Sequence, residues 1–141
     1  MIVVAIIGIL AAIAIPQYGN YVSRTRAAGA VAEMAAYRGG YALCLFEQGN
    51  KVENCNELGK NGIPLANTAF TKNVIEAVTI DTSDATLRTK TGATAVDGTP
   101  LTYILTPKPL SIGSSAITFE QTGTICDDKR GIKISGGECA S

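Results

Sequence analysis

Four cysteines, Cys44, Cys55, Cys126 and Cys139, are the residues of this 141-residue chain best equipped for chemistry, and no histidine accompanies them. Without an imidazole there is no Ser-His-Asp or Cys-His nucleophile, no histidine metal ligand and no histidine pH switch. The cysteines form no C-x-x-C pair, so a zinc site would need four widely spaced thiolates. Disulfides suit the spacing better. Four cysteines allow three pairings, and the two local ones, Cys44 with Cys55 and Cys126 with Cys139, fit best. Each closes a loop of about a dozen residues, worth roughly 2–3 kcal/mol, and implies an oxidising compartment such as the periplasm or cell surface. Asp81, Asp84 and Asp97 could share a calcium ion only if their turns converge, and no EF-hand spacing is present. Asp127-Asp128-Lys129-Arg130, between the last two cysteines, reads as solvated charge sooner than as a partner contact. No P-loop, G-x-S-x-G or N-x-S/T sequence occurs. The inventory points away from an enzyme and calls for no cofactor and no metal.

The elements that must carry these residues differ sharply from end to end. Lys+Arg and Asp+Glu number 12 each, so the net charge is zero and the bulk surface has no strong attraction for nucleic acid. Residues 1–23 hold no charged side chain; Arg24 is the first, followed by Arg26. Residues 1–15, M-I-V-V-A-I-I-G-I-L-A-A-I-A-I, hold no polar side chain. As a helix they would measure roughly 22 Å, short of the ~30 Å core of a bilayer. A signal peptide would need a basic region ahead of the run. A core helix apolar all round would need protein on every side. The remaining reading, a membrane or assembly helix with Arg24 and Arg26 near its water-facing end, fits best. Gly8 and Pro16 weaken that helix, by about 1 and 3 kcal/mol respectively, and Pro16 loosens the turn around Ala12. Gly8, Ala11, Ala12 and Ala14 would let neighbouring helices approach closely.

From Gln17 to about Phe46 the pattern stays helical, with Tyr18, Tyr21, Val22, Val31, Met34, Ala35 and Tyr41 at three- and four-residue spacing. Gly39-Gly40 is an internal weakness at which a helix can bend or end, and the segment is read as helical through it to about Phe46. Residues 47–72 carry glycine, asparagine and proline breakers and read as a loop. Short β-rich runs follow at 74–81, 85–90, 101–106 and 116–121, separated by turn signals. Such short connections leave no room for crossover helices, so the sheet should be antiparallel. One long helix on a four-stranded antiparallel sheet is an α+β arrangement.

The opening M-I-V-V-A-I-I-G-I-L-A-A-I-A-I-P-Q-Y, with the Ser23-Arg24-x-Arg26 shoulder behind it, resembles the N-terminal helix of type IV pilins. The close match covers residues 1–26. In that family a methylated phenylalanine and F-T-L-I-E-L stand directly before M-I-V-V. The sequence is therefore expected to start inside the motif, and the family's N-terminal amine and glutamate map to no position here. Six more residues would bring the apolar helix to about 21 residues, roughly 32 Å, which spans. The resemblance implies a type IVa pilin, most simply the major subunit. Its layout would be an apolar membrane and filament-core half-helix (1–23), an amphipathic half-helix (24–46), an αβ-loop (47–72), then a sheet with a C-terminal disulfide loop (73–141). It also implies that the Cys126–Cys139 loop is exposed and serves adhesion and subunit contacts. The Cys44–Cys55 bridge is an addition seen in some members. The stretch from Gly8 to Pro16 would lose helicity in the filament, and Ser141 resembles the terminal serine that carries an O-linked glycan in some pilins.

The partners so implied are copies of the same chain, the inner membrane before assembly, the pilus assembly machinery, and surfaces, phage or DNA as external ligands. Twitching motility, adhesion and DNA uptake are all family activities. Two other readings share the helix: a minor pilin acting at the tip, and a pseudopilin of a type II secretion system. Major pseudopilins usually carry a calcium-binding loop in place of the C-terminal disulfide, which Cys126 and Cys139 argue against.

Overall fold

The structure is a computed structural model, and it describes residues 1–108, 116–134 and 139–140. α1 (Ile2–Glu47) runs unbroken for 46 residues, about 69 Å at 1.5 Å per residue. Residues 1–18 are exposed along their whole length. A buried stripe begins at Ser23 and continues through Ala27, Ala30, Met34, Tyr37, Tyr41, Cys44 and Leu45. Steps of three and four residues keep those side chains on one helix face. Met34 and Tyr41 lie in this stripe, whereas Tyr18, Tyr21 and Ala35 are exposed.

The weak point at Gly39-Gly40 does not interrupt α1, and the helix expected to about Phe46 runs to Glu47. A Cβ on Gly40 would lie 2.5 Å from the Gly62 carbonyl oxygen, so this glycine admits the loop that packs over the helix. That packing offsets the roughly 1 kcal/mol penalty of a helical glycine. The helix stops after Glu47, where the Gln48 N–H bonds the Cys44 carbonyl at 2.8 Å and the Asn50 N–H bonds the Leu45 carbonyl at 2.7 Å. These bonds occupy carbonyls that the final turn would otherwise leave open.

The loop beyond is pinned to α1 by polar contacts. The Tyr37 hydroxyl donates to the Leu65 carbonyl at 2.8 Å. The Glu33 carboxylate accepts from Thr71 Oγ1 at 2.9 Å and Asn73 Nδ2 at 2.7 Å. A disulfide joins Cys44 at the helix end to Cys55, with Cα atoms 6.0 Å apart.

β1 (Thr79–Ile80), β2 (Leu87–Thr94), β3 (Pro100–Lys108) and β4 (Thr118–Thr122) form one antiparallel meander in the order β1-β2-β3-β4. This is the α+β pilin-type arrangement, with α1 lying against β2. In β3, Leu101, Tyr103, Leu105 and Pro107 alternate inward, as the two-residue period of a strand requires. Tyr41, Tyr103, Met34, Leu45, Leu87 and Leu105 are the largest fully buried side chains, with Tyr37 nearly buried beside them in the core.

The strand expected over 74–81 is mostly an edge segment without a regular ladder. Val74 bridges Thr91, and the Thr89 hydroxyl rather than its backbone reaches the Glu76 carbonyl at 2.8 Å. β2 runs four residues past the expected end at Lys90, through a register shift between Lys90 and Thr94. β3 includes Pro107 because β2 stops opposite Leu105. At that strand end a missing N–H is tolerated.

Candidate assembly surface

The first third of α1 has no cover within its own chain. Ile6 is the least exposed of its large aliphatic side chains and is still 51% open. By length and composition α1 could cross a membrane, and its most apolar 18-residue stretch has no buried residue. Each such side chain gains about 1.5–3 kcal/mol when taken out of water, so the segment requires cover from lipid or from other helices. Gly8, Ala11 and Ala12 share one face at i, i+3 and i+4, with Ala14 three residues beyond Ala11. A Cβ added at Gly8 would meet nothing within 4 Å. Pro16 sits inside the continuous helix.

Where α1 meets the rest of the fold, a polar node replaces apolar packing. Ser23 Oγ lies 2.9 Å from the Thr94 carbonyl and 2.8 Å from the Arg130 carbonyl, and it accepts the Thr94 N–H at 2.9 Å. Arg130 crosses the same point: Nε donates to the Thr94 carbonyl at 2.7 Å, Nη2 to Thr94 Oγ1 at 3.2 Å, and Nη1 to Asn20 Oδ1 at 3.3 Å. Arg24 Nη2 donates to the carbonyls of Asp128 and Lys129. Asp127 Oδ1 accepts the N–H groups of Lys129 at 2.7 Å and Arg130 at 2.8 Å. Asp128 Oδ1 accepts that of Ile134 at 3.0 Å. The Asp127-Asp128-Lys129-Arg130 sequence is therefore a turn docked on α1 through Arg130 and its own backbone carbonyls, while the Asp128 and Lys129 side chains stay exposed. Its acids hold the turn together and its last residue fastens it.

A second disulfide joins Cys126 and Cys139, with Cα atoms 5.9 Å apart, and the Ala140 N–H pairs with the Gln121 carbonyl of β4 at 2.9 Å. Gln121 is itself buried, and its side-chain amide points to Cys139 Sγ at 3.6 Å. Cys139 and Ala140 are thus held against β4, the outer strand of the sheet.

No protein-family model matches the chain. A 71-residue stretch is 46% identical to the type IV major fimbrial protein FimA of Dichelobacter nodosus, covering 45% of this chain and 44% of that protein. A 38-residue stretch is 66% identical to a fimbrial protein of Pseudomonas aeruginosa, covering 27% of the chain and 25% of that protein. The match to prepilin peptidase-dependent protein D of Escherichia coli is longer: 107 residues at 32% identity, 76% of the chain and 66% of that protein. These similarities fall on a chain with a long exposed apolar helix and a four-stranded antiparallel sheet. The chain belongs to the type IV pilin family. It spans less than half the length of the Dichelobacter and Pseudomonas relatives it matches.

In this pilin the residues singled out in the sequence fall into separate places. Gly8, Ala11, Ala12, Ala14 and Pro16 lie on the exposed run, the four cysteines form the two bridges, and Ser141 lies outside the described residues. Among the described residues, no three histidine, cysteine, aspartate or glutamate side chains gather as a metal-binding set. Asp81 and Asp97 instead serve their own turns. The Ser83 hydroxyl at 2.6 Å and N–H at 3.0 Å hold the Asp81 carboxyl below its usual range. The Thr99 N–H at 2.9 Å does the same for Asp97. Sequence reasoning missed Ser23 and Arg130 as a pair. The available signal was a serine standing four residues before Ala27, in phase with the buried stripe.

Proposed function

We propose that this pilin is the structural subunit of a type IV pilus and polymerises through its apolar helix into an extracellular filament. The observation that carries the reading is the apolar run of α1, which no part of its own fold covers. Before assembly the run resides in the inner membrane, with the sheet domain on the periplasmic side. On assembly it exchanges lipid for neighbouring helices, so its apolar area stays out of water throughout. Gly8, Ala11, Ala12 and Ala14 supply the close approach, and Gly8 and Pro16 mark a stretch that melts and lends the filament extensibility. The two bridges belong to an oxidising compartment. Motility, adhesion and DNA uptake are the activities such a filament would serve, through surfaces, phage or DNA as external ligands and with the assembly machinery as its cellular partner.

Deleting the gene and examining sheared surface material by electron microscopy, beside a complemented strain, tests this role. Loss of long thin filaments, restored by the gene, is the expected result. Filaments of normal number in the deletion strain would overturn the principal-subunit reading in favour of a minor pilin or a secretion pseudopilin.

A further inference from the structure

At the junction between α1 and the docked turn, Arg24, Lys129 and Arg130 form no ion pair among the described residues, and the one carboxylate lining the cleft there is that of Asp128. Three ion pairs occur among the described residues, Lys60–Glu57, Lys90–Glu76 and Lys108–Glu120, and none is here. Asp127 and Asp128, the nearest acids in sequence, direct Oδ1 to backbone N–H groups of their own turn. Arg24 is only partly used: Nη2 holds the turn's carbonyls, while Nε is buried with no hydrogen-bond partner among the described residues. An open cleft of about 350 Å³ lies at this point, lined by Gln17, Asn20, Tyr21, Arg24, Asp128 and Lys129.

The height of the cleft along α1 suggests what fills it. The apolar run ends at Ile15, and Tyr18 and Tyr21, each 71% exposed, follow within two turns. Amphipathic rings just beyond an apolar segment mark the headgroup level of a bilayer. Arg24 is nine residues past Ile15, about 13 Å, with its guanidinium docked on the turn at the cleft, and the exposed Lys129 beside it has a long side chain that can reach back toward that layer.

We propose that this cleft holds the phosphate of an anionic phospholipid headgroup while the pilin waits in the membrane, with Arg24 and Lys129 as its cationic partners. The inference rests on the membrane-inserted state proposed above. It assigns the docked turn a role before assembly: it sets the height and tilt at which the sheet domain rests on the bilayer.

The test uses the full chain in nanodiscs of mixed phosphatidylglycerol and phosphatidylcholine. Flotation with vesicles after an alkaline wash first establishes insertion. A chain that fails to float overturns the membrane-inserted state itself. For the inserted chain, native mass spectrometry counts the lipids retained on extraction. The wild type should retain phosphatidylglycerol in preference to phosphatidylcholine, and K129Q and R24Q should each lower that preference about fivefold, the weight of one cation at an anionic surface. Lys129→Gln is the decisive variant, because the Lys129 ammonium has no polar partner among the described residues, whereas Arg24→Gln also releases the turn; R24K should restore part of the preference. Insertion without a phosphatidylglycerol preference, or a preference unchanged in K129Q, overturns the site while leaving the membrane-inserted state intact. Full displacement of the lipid by millimolar inorganic phosphate would assign the cleft to a free anion and overturn the lipid source. Unchanged lipid retention with loss of filaments in K129Q would assign it to a neighbouring subunit, and likewise overturn it.

Discussion

Replacing Ser23 with alanine removes one hydroxyl and interrogates how the sheet domain is fastened to α1. Ser23 is 3% exposed. Its proton can serve the Thr94 carbonyl or the Arg130 carbonyl, and its oxygen accepts the Thr94 N–H. After the substitution the Thr94 carbonyl keeps Arg130 Nε at 2.7 Å. The Thr94 N–H and the Arg130 carbonyl lose this partner. An unpaired buried donor costs about 1–3 kcal/mol, and the carbonyl adds less because the hydroxyl served it only part of the time. The expected loss is about 2 kcal/mol. The assay is urea unfolding of the full chain in detergent micelles, followed by tyrosine fluorescence, since the chain has five tyrosines and no tryptophan. With a slope of about 2 kcal/mol per molar urea, the midpoint should fall by about 1 M. Thr25→Ala is the control: that hydroxyl bonds the Tyr21 carbonyl on the exposed side of the same helix, and its loss should change stability by less than about 0.5 kcal/mol. A Ser23→Ala midpoint indistinguishable from wild type, or an equal loss in Thr25→Ala, would refute the node as the fastening point.

Four further outcomes follow from the same structure. Tyr41→Phe keeps the ring edge-on to Phe119 at 6.1 Å and removes a buried hydroxyl with no hydrogen-bond partner among the described residues; the variant should be about 1 kcal/mol more stable, and a loss of that size in the same titration would show that the hydroxyl is paired. Gly92→Ala places a Cβ 1.8 Å from the Lys72 carbonyl oxygen, so the loop strand must leave β2 at a cost of about 3 kcal/mol, visible as faster proteolytic cleavage near Lys72; unaltered cleavage would contradict it. Pro16→Ala restores a helical N–H and should stiffen the segment from Gly8 onward; an unchanged helix break in cryo-microscopy of the mutant filament would end the proline account. The hydrogen bonds from Ser83 to Asp81 and from Thr99 to Asp97 lower both carboxyl pKa values. Their support of the two turns is therefore complete above the ordinary aspartate range and is lost only as pH falls through the lowered values. Amide shifts of Ser83 and Thr99 should titrate below that range, and midpoints at or above it would count against the capping.

The parts of the fold legible in the sequence are those written in periodicity. The uncharged run to residue 23, the three- and four-residue spacing through Met34 and Tyr41, and the inward alternation of Leu101, Tyr103 and Leu105 each follow from one element's own geometry. What was illegible depends on contacts between distant segments. Gly40 looks like a helix breaker until Gly62 is placed against it. Residues 74–81 look like a full strand until Thr89 is seen to meet Glu76 through its side chain. Arg130 looks solvated until the turn containing it folds back more than a hundred positions onto Asn20 and Ser23. A reading of local pattern has no access to that return path.

The division of α1 at its midpoint also sets how sequence change can accumulate in this protein. A substitution among residues 1–18 alters no core packing of the folded subunit, because every one of those residues is exposed. In the proposed filament its effect would fall on contacts with lipid and neighbouring helices, and a repeating assembly would multiply it across every copy. A substitution in the stripe from Ser23 to Leu45 acts on each subunit alone, before any neighbour arrives. Under that proposal one uninterrupted helix is read as two texts, the first scored by its surroundings and the second by the chain's own fold. A mutational scan should show that boundary as a step near residue 20, with the folding stability of the sheet domain insensitive to changes upstream of it and filament yield sensitive on both sides.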